Sequence, residues 1–116
     1  MLIFIPKYKA AERLGKIDPR NENAINALVE LIRNQDVDYP TKYHAAQSLR
    51  EILTDKHMSD IIKALTPYLS LETYNNSPKL FRVIYEIIWK CAENMTYPEF
   101  YQAWYQGSIN QSIVNL

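Results

Sequence analysis

The segment SPKLFRVIYEIIWKCAENM, residues 77–95, is apolar over most of its length and carries its charges at regular intervals. The ionisable side chains recur at spacings of three and four residues, so a helix would place them along one narrow stripe. They are Lys79, Arg82, Glu86, Lys90 and Glu93. The rest of the circumference is apolar. We therefore predict a central helix that contacts neighbours on two or three sides and buries Ile84, Ile88 and Trp89.

The start of this helix is also indicated by the sequence. The Ser77 hydroxyl can accept a hydrogen bond from an unpaired amide of the first turn, and Pro78 fits the first helical position. Five ionisable residues within the segment argue against a membrane span. The pattern therefore favours a helix in the core of a globular domain.

The composition fits one helical domain. A chain of 116 residues is long enough to bury a core. Its only glycines are Gly15 and Gly107, which excludes a glycine-rich phosphate loop and disfavours an all-β fold. The apolar run before Pro6 is too short for a secretory signal. Because the single Cys91 cannot form an internal disulfide, we expect a cytoplasmic protein with this residue buried as a small hydrophobe.

A pattern of residues in the first half of the chain occurs twice. Five positions of the first copy recur 35 residues later, and Ala27-Leu28 recurs 37 residues later as Ala64-Leu65. The five pairs are Tyr8 and Tyr43, Ala10 and Ala45, Ala11 and Ala46, Leu14 and Leu49, and Ile17 and Ile52. The economical interpretation is two copies of one helical hairpin within residues 8–69. In each copy the four residues after the tyrosine are predicted to face inward, together with Leu53 in the second copy.

The helix boundaries follow from caps and periodicity. We predict helices at 7–17, from the Asn21 cap to about 33, at 41–53, at 57–69 with Thr54 or Asp55 as cap, at 77–95, and at 97–106. The second of these buries Ile25, Leu28, Val29 and Ile32. Residues 70–76 are predicted to be a connector, and Gly107 is predicted to end the last helix. The expected architecture is one all-α domain over residues 1–116, with about six helices: two hairpins and a C-terminal cap at 77–106.

Two parts of the chain, each represented by several short stretches, resemble known families. AAERLGKI at 10–17, followed by AINALVELI at 24–32, resembles the short HEAT-like repeats of cyanobacterial proteins, an α-solenoid element. YLS at 68–70, VIYEIIWKCAENMTYP at 83–98 and FYQAW at 100–104 are similar to the C-terminal helical region of cyanobacterial NACHT-type STAND ATPases. The resemblance covers nearly all of the chain after Tyr8. It implies a region that follows a nucleotide-binding switch and serves in sensing or partner contact.

The chain departs from that family in two respects. It contains no Gly-x-x-x-x-Gly-Lys-Ser/Thr loop, so the resemblance does not extend to nucleotide hydrolysis. Where the family often has Trp-His-Cys, this chain has Trp89-Lys90-Cys91. A metal or redox role that needs adjacent histidine and cysteine is therefore not expected here.

No catalytic, cofactor or metal site is predicted. His44 and His57 lie on different predicted helices and lack the spacing of zinc ligands. The carboxylate pairs Asp36 with Asp38 and Asp55 with Asp60 are explained by loop solvation and helix capping. We therefore expect a protein that is not an enzyme.

A partner-binding surface is predicted on two parts of the chain. It comprises Asn23, Asn26, Glu30 and Arg33 of the second helix, Lys63 of the fourth, and Tyr101 and Tyr105 of the last. The two tyrosines lie on a different side from Phe100, Ala103 and Trp104, whose spacing is that of a docked face. Near the N-terminus, the apolar Leu2, Ile3, Phe4 and Ile5 are predicted to fold over the first helix or to mediate self-association.

These observations predict a non-catalytic protein-protein interaction module. It would present a rigid helical surface to a partner protein, or to a switch ATPase supplied by another chain. The alternative is a HEAT-like accessory of bilin chromophore attachment, which one cysteine and many tyrosines do not exclude. Lys plus Arg and Asp plus Glu number 13 each, and this balance disfavours nucleic-acid partners.

Overall fold

The computed structural model describes residues 6–18 and 21–114, with side chains up to 109. The described residues are predominantly helical and contain no strand, so the predicted all-α class is confirmed. The helices are α1 Lys7–Ile17, α2 Glu22–Arg33, α3 Tyr39–Ile52, α4 Met58–Leu65, α5 Leu71–Asn76, α6 Pro78–Glu93 and α7 Tyr97–Val114. Short 3-10 turns occupy Asp55–His57 and Thr66–Tyr68. The chain divides into two compact units, Met1–Thr54 and Asp55–Leu116.

In the first unit, α1, α2 and α3 pack on one another and two side chains cap the helices. The Asn21 side chain accepts hydrogen bonds from the amides of Asn23 at 2.9 Å and Ala24 at 3.2 Å, which confirms the predicted cap. Asp38 caps α3 by accepting from the Thr41 amide at 2.8 Å. Because Pro40 fits the first turn, α3 begins at Tyr39, two residues before the predicted start.

The core of the first unit is formed by the apolar faces of α2 and α3. Ile25, Leu28 and Ile32 of α2 are buried as predicted, and Val29 is half-buried. On α3, the buried apolar residues are Ala45, Ala46, Leu49 and Ile52. The small alanines let α3 approach its neighbours closely.

The predicted inward face of α1 is wrong in three of its four positions. Ala11 is buried, but Ala10 is exposed, and Leu14 and Ile17 are 40% and 83% exposed. The other buried position is Gly15, where an added Cβ would lie 2.5 Å from Ile52 Cδ1. The closest approach of α1 to α3 is therefore at Gly15, where the absence of a Cβ leaves room for Ile52. Of the five aligned pairs, only Ala11 and Ala46 are buried in both helices.

In the second unit, α6 is the buried helix that was predicted from the sequence pattern of residues 77–95. Its buried side chains are Leu80, Val83, Ile84, Ile87, Ile88 and Cys91, and it packs on α4, α5 and α7. The Ser77 hydroxyl accepts from the Leu80 amide at 3.2 Å, which confirms that cap. The prediction for Trp89 is wrong, since this side chain is 57% exposed. At about 100° per residue, Trp89 lies almost opposite Leu80 and close to Arg82 in the charged stripe.

The helix α7 continues through Gly107 to Val114, so Gly107 does not end it as predicted. Gly107 is buried against the end of α4. An added Cβ would lie 2.9 Å from Thr66 Cβ and 3.1 Å from the Lys63 carbonyl oxygen. The missing side chain therefore allows α7 to lie directly on the backbone of α4.

Two shorter elements also differ from the prediction. The helix α4 ends at Leu65, and Pro67 lies in the 3-10 turn that follows it. Its N-cap is His57, which makes no capping hydrogen bond from its side chain, so neither Thr54 nor Asp55 caps this helix. The predicted connector contains α5, whose cap Ser70 accepts from the Thr73 amide at 3.2 Å.

Two predictions are not tested by these features. The second hairpin would pair α3 with α4, which belong to different units, so it stays a prediction. Leu2, Ile3, Phe4 and Ile5 lie outside the described residues. Within the part of the chain that the structure describes, no helix is both long enough and apolar enough to cross a membrane.

Candidate functional site

Three tyrosines form a row along α7. Tyr97, Tyr101 and Tyr105 are spaced four residues apart and are 77%, 55% and 53% exposed. Their rings stack in sequence, with centroids 6.1 Å apart for the first pair and 6.2 Å for the second. The planes of the second pair are tilted by only 9°. We call these three residues the tyrosine row, and the predicted exposure of Tyr101 and Tyr105 matches the structure.

The tyrosine row is on the side of α7 that faces away from its packing contacts. Ala103 and Gly107 are buried, and each follows a tyrosine of the row by two residues, about 200° around the helix. The helix therefore has one apolar face packed on α4 and a second, aromatic face in contact with solvent. Its start is fixed by Thr96, whose hydroxyl accepts from the Glu99 amide at 3.4 Å.

Phe100 and Trp104 lie between these two faces. They stack on each other with centroids 6.0 Å apart, and both are half-buried. Ala103, the third member of the predicted docked face, is 1% exposed. The predicted docked face is therefore fully buried at Ala103 and partly buried at the two rings.

A second exposed aromatic pair was not predicted. Tyr85 and Trp89 on α6 stack with centroids 6.3 Å apart and are 51% and 57% exposed. The sequence contained the signal, because both residues fall on the side of the helix that carries Arg82 and Glu86. The prediction assigned every apolar residue of the segment to the core and therefore overlooked the exposure of Tyr85 and Trp89.

The polar residues of the predicted surface fall in both units. Asn23, Asn26, Glu30 and Arg33 are all exposed along α2 in the first unit. Lys63 is half-buried on α4 in the second unit. The structure therefore places the α2 residues on one helix, and the association of Lys63 with them stays a prediction.

The single cysteine, Cys91, is buried and unreactive. Cys91 is 0% exposed, and burial raises the pKa of its thiol to about 11 although the neighbouring Lys90 charge opposes the shift. The thiol is therefore protonated at neutral pH and is a poor nucleophile. Among the described residues, no three His, Cys, Asp or Glu side chains come close enough together to hold a metal ion.

A polar groove of about 430 Å³ lies between α1 and α3 in the first unit. The Glu12 carboxylate accepts from the Ser48 hydroxyl at 3.0 Å and pairs with Lys16 at 3.1 Å. Burial acts to raise the pKa of Glu12, but these partners and the Lys9 charge outweigh it and keep the pKa below its ordinary value. His44 stacks on Tyr8 at 5.1 Å. Glu12 therefore joins the two helices as a hydrogen-bonded anion.

Of the four carboxylates considered in the sequence, Asp38, Asp55 and Asp60 lie at the start of an α-helix or a 3-10 turn, and Asp36 is exposed in the turn between α2 and α3. Asp38 caps α3, and hydrogen bonds from Thr41 lower the pKa of its carboxyl. Asp55 begins a 3-10 turn, and Asp60 lies in the first turn of α4. For Asp38, the predicted capping role is therefore confirmed.

Comparison with known proteins gives one family match in this part of the fold. The family model described as NACHT C-terminal Cysteine and Histidine-containing matches residues 72–105, from α5 to the last tyrosine of the row. No curated protein and no solved structure matches the chain. The match supports a C-terminal region associated with NACHT proteins. The matched residues include Cys91 and contain no histidine, since both histidines precede residue 72.

Proposed function

We propose that this chain is a non-catalytic protein-protein interaction module related to the C-terminal region of NACHT-type signalling ATPases. The tyrosine row is the observation that carries the proposal. Tyrosine rings provide a large contact area with few rotatable bonds, and they are enriched where proteins bind one another. The row lies within the residues that match the NACHT-associated family model.

The size of the row supports a contact role. Taking about 200 Å² per tyrosine side chain, the exposed fractions of 77%, 55% and 53% leave about 370 Å² of aromatic surface. At about 25 cal/mol per Å², covering it would contribute up to about 9 kcal/mol before the entropy and desolvation costs of association. A row of this size suffices for the central part of an interface.

Further contacts belong to the same proposal. The exposed polar residues of α2 would offer hydrogen bonds to a protein partner from the first unit, and Lys63 would offer them from the second. The HEAT-like character of the repeats and a cytoplasmic location are also part of the proposed function. The partner is a protein, such as a switch ATPase supplied by another chain.

A catalytic role has little support from the side chains. The Cys91 thiol is buried and protonated, and the Glu12 carboxylate is engaged by Ser48 and two lysines. These groups act in packing and helix pairing.

The test is affinity purification from native cells with three forms of the full chain. The forms are wild type, the double variant Tyr101→Ala with Tyr105→Ala, and the control double variant Tyr85→Ala with Trp89→Ala. The control pair is matched, because it is also a stacked aromatic pair of similar exposure on a neighbouring helix. Circular dichroism verifies that each form is folded.

The expected result is a set of partners that is retained by wild type and by the Tyr85/Trp89 control and is lost by the Tyr101/Tyr105 variant. Identical partners for all three forms would overturn the assignment of the tyrosine row. Loss in both variants would show that exposed aromatic residues in general are responsible, which also contradicts the assignment.

A further inference from the structure

The outer side of α1 combines positive charge with exposed apolar side chains. Its basic residues are all exposed, and they are Lys7, Lys9, Arg13 and Lys16. Its apolar residues Ala10, Leu14 and Ile17 are exposed as well. We call these seven residues the basic α1 face. We propose that the basic α1 face lies on the surface of an anionic lipid bilayer and holds the chain there reversibly. This proposal concerns a helix of the first unit and is independent of the tyrosine row.

The charge of α1 is predominantly positive. The helix carries four basic residues and one acidic residue, Glu12, whereas the whole chain is neutral. Glu12 is half-buried and is shared by Lys9 at 3.5 Å and Lys16 at 3.1 Å, so it offsets only one of these two lysines. The next acidic residue, Asp18, lies at the C-cap, at one end of the helix. The segment therefore attracts an anionic surface although the chain has no net charge.

The apolar residues of the basic α1 face are bordered by cations on both sides. At about 100° per residue, Ile17, Ala10 and Leu14 lie within an arc of about 60°. Arg13 lies about 40° beyond Ile17 at one edge, and Lys7 lies about 20° beyond Leu14 at the other. A helix in the headgroup region of a membrane has this arrangement, because its apolar side chains enter the acyl boundary and its long basic side chains reach the headgroups.

The packing of α1 leaves this arc open. The two buried residues of the helix are Ala11 and Gly15, and the contact with α3 is made at Gly15. Their midpoint lies about 110° around the helix from the middle of the apolar arc. Ile17 is 83% exposed, and Leu14 is 40% exposed. The arc can therefore contact a membrane while the core contacts of α1 are retained.

The exposed aliphatic side chains distinguish a bilayer from other anionic partners. Phosphate contacts dominate the binding of basic segments to nucleic acid, and they would leave Ile17 in water. An acidic protein would need an apolar groove with carboxylates along both of its rims. An anionic bilayer provides an apolar layer beneath a negatively charged surface at every point. Positive charge on both sides of an exposed apolar arc therefore favours the bilayer.

Binding should be weak and reversible. Each basic residue close to an anionic membrane surface increases affinity about fivefold. The helix has only 11 residues and offers two large aliphatic side chains for insertion. Since the charges are exposed, salt should screen their attraction to the membrane. The chain should therefore leave the membrane as the ionic strength rises.

Co-sedimentation of the full chain with lipid vesicles tests the proposal. Wild type should bind vesicles that contain phosphatidylserine more tightly than vesicles of phosphatidylcholine alone, and more tightly at about 0.15 M than at about 1 M salt. Lys7→Gln with Arg13→Gln should weaken binding to the anionic vesicles about 25-fold, since each residue contributes about fivefold. The matched control is Lys79→Gln with Arg82→Gln, which removes the same charge from exposed positions of α6 and should bind like wild type.

A fluorescent label tests which side of the chain meets the membrane. A polarity-sensitive fluorophore attached to Ile17→Cys should shift its emission to the blue when anionic vesicles are added. The same fluorophore on Glu30→Cys, which is exposed on α2, should not shift. The native Cys91 is buried, so the label attaches to the introduced thiol. Circular dichroism verifies that each variant is folded.

Four outcomes would overturn the proposal. Wild type could remain unbound by anionic vesicles, or it could bind neutral vesicles equally well. The Lys7/Arg13 variant could bind like wild type, or the label at position 17 could stay unshifted on bound protein. A chain that ignores vesicles but binds polyglutamate or DNA would identify an acidic protein or a nucleic acid as the occupant, which also contradicts the proposal.

Discussion

Replacement of Gly107 by alanine tests the packing of α7 on α4. The two readings of this glycine predict opposite results. If Gly107 ended the helix, alanine would extend the helix, with little cost to the fold. In the structure Gly107 is buried within α7, so the new methyl group must fit between two packed helices.

The magnitude follows from two opposing effects. Within a helix, replacing Gly by Ala stabilises by about 0.5 to 1 kcal/mol. Against this, the added Cβ would lie 2.9 Å from Thr66 Cβ and 3.1 Å from the Lys63 carbonyl oxygen. Neither atom is the free end of a flexible side chain, and overpacking of this kind costs about 1 to 3 kcal/mol. We expect Gly107→Ala to lower the free energy of unfolding by about 1 kcal/mol and Gly107→Val to lower it further.

The assay is urea unfolding followed by circular dichroism, with the two variants compared with wild type. Gln106→Ala is the control, because this neighbour is exposed and its replacement changes helix propensity without touching α4. It should change the free energy of unfolding by less than about 0.5 kcal/mol. A Gly107→Ala variant as stable as wild type or more stable would refute the close approach of α7 to α4.

Three further predictions concern the core, the thiol and the N-terminus. In the same urea assay, Ile84→Ala should lower the free energy of unfolding by about 2 to 5 kcal/mol and Trp89→Ala by less than about 1 kcal/mol. Equal losses for the two variants would contradict the different burial of the two side chains. Because the pKa of the Cys91 thiol is raised from 9.0 to about 11, the unfolded chain loses this proton first as the pH rises. Stability should therefore fall between pH 9.0 and about 11, by on the order of 2 to 3 kcal/mol, and Cys91→Ala should lack this fall in pH-dependent urea unfolding. Removal of residues 1–6 should change the oligomeric mass measured by light scattering or lower the free energy of unfolding. A truncated chain that shows neither change would remove any role for Leu2, Ile3, Phe4 and Ile5.

The sequence predicted the buried helix well because its charged residues share one stripe. Once Lys79, Arg82, Glu86, Lys90 and Glu93 are aligned, the opposite side of α6 is determined by helix geometry alone. The Ser77 and Asn21 caps were predictable for a similar reason, since a cap depends on residues two or three positions away. The same helix geometry also identifies Trp89 as exposed, and that part was missed because all apolar residues were assigned to the core.

The face of α1 and the length of α7 could not be found in this way. Both depend on a glycine whose role is decided by a distant residue, Ile52 for Gly15 and Thr66 for Gly107. A single sequence shows the glycine but not the helix that packs on it. The exposure of Tyr101 and Tyr105 was predictable because the spacing of Phe100, Ala103 and Trp104 assigns those residues to the opposite side.

The only two glycines of the chain also restrict how its helices can slide along one another. A shift of α7 by one turn would bring Ala103 or Gln111 to the point where Gly107 now meets the backbone of α4, and each of these has a Cβ. In the first unit, a shift of α1 would similarly bring Ala11 against Ile52 in place of Gly15. Each contact is therefore compatible with one position of the helix along its neighbour, and each glycine fixes the register of its own helix pair.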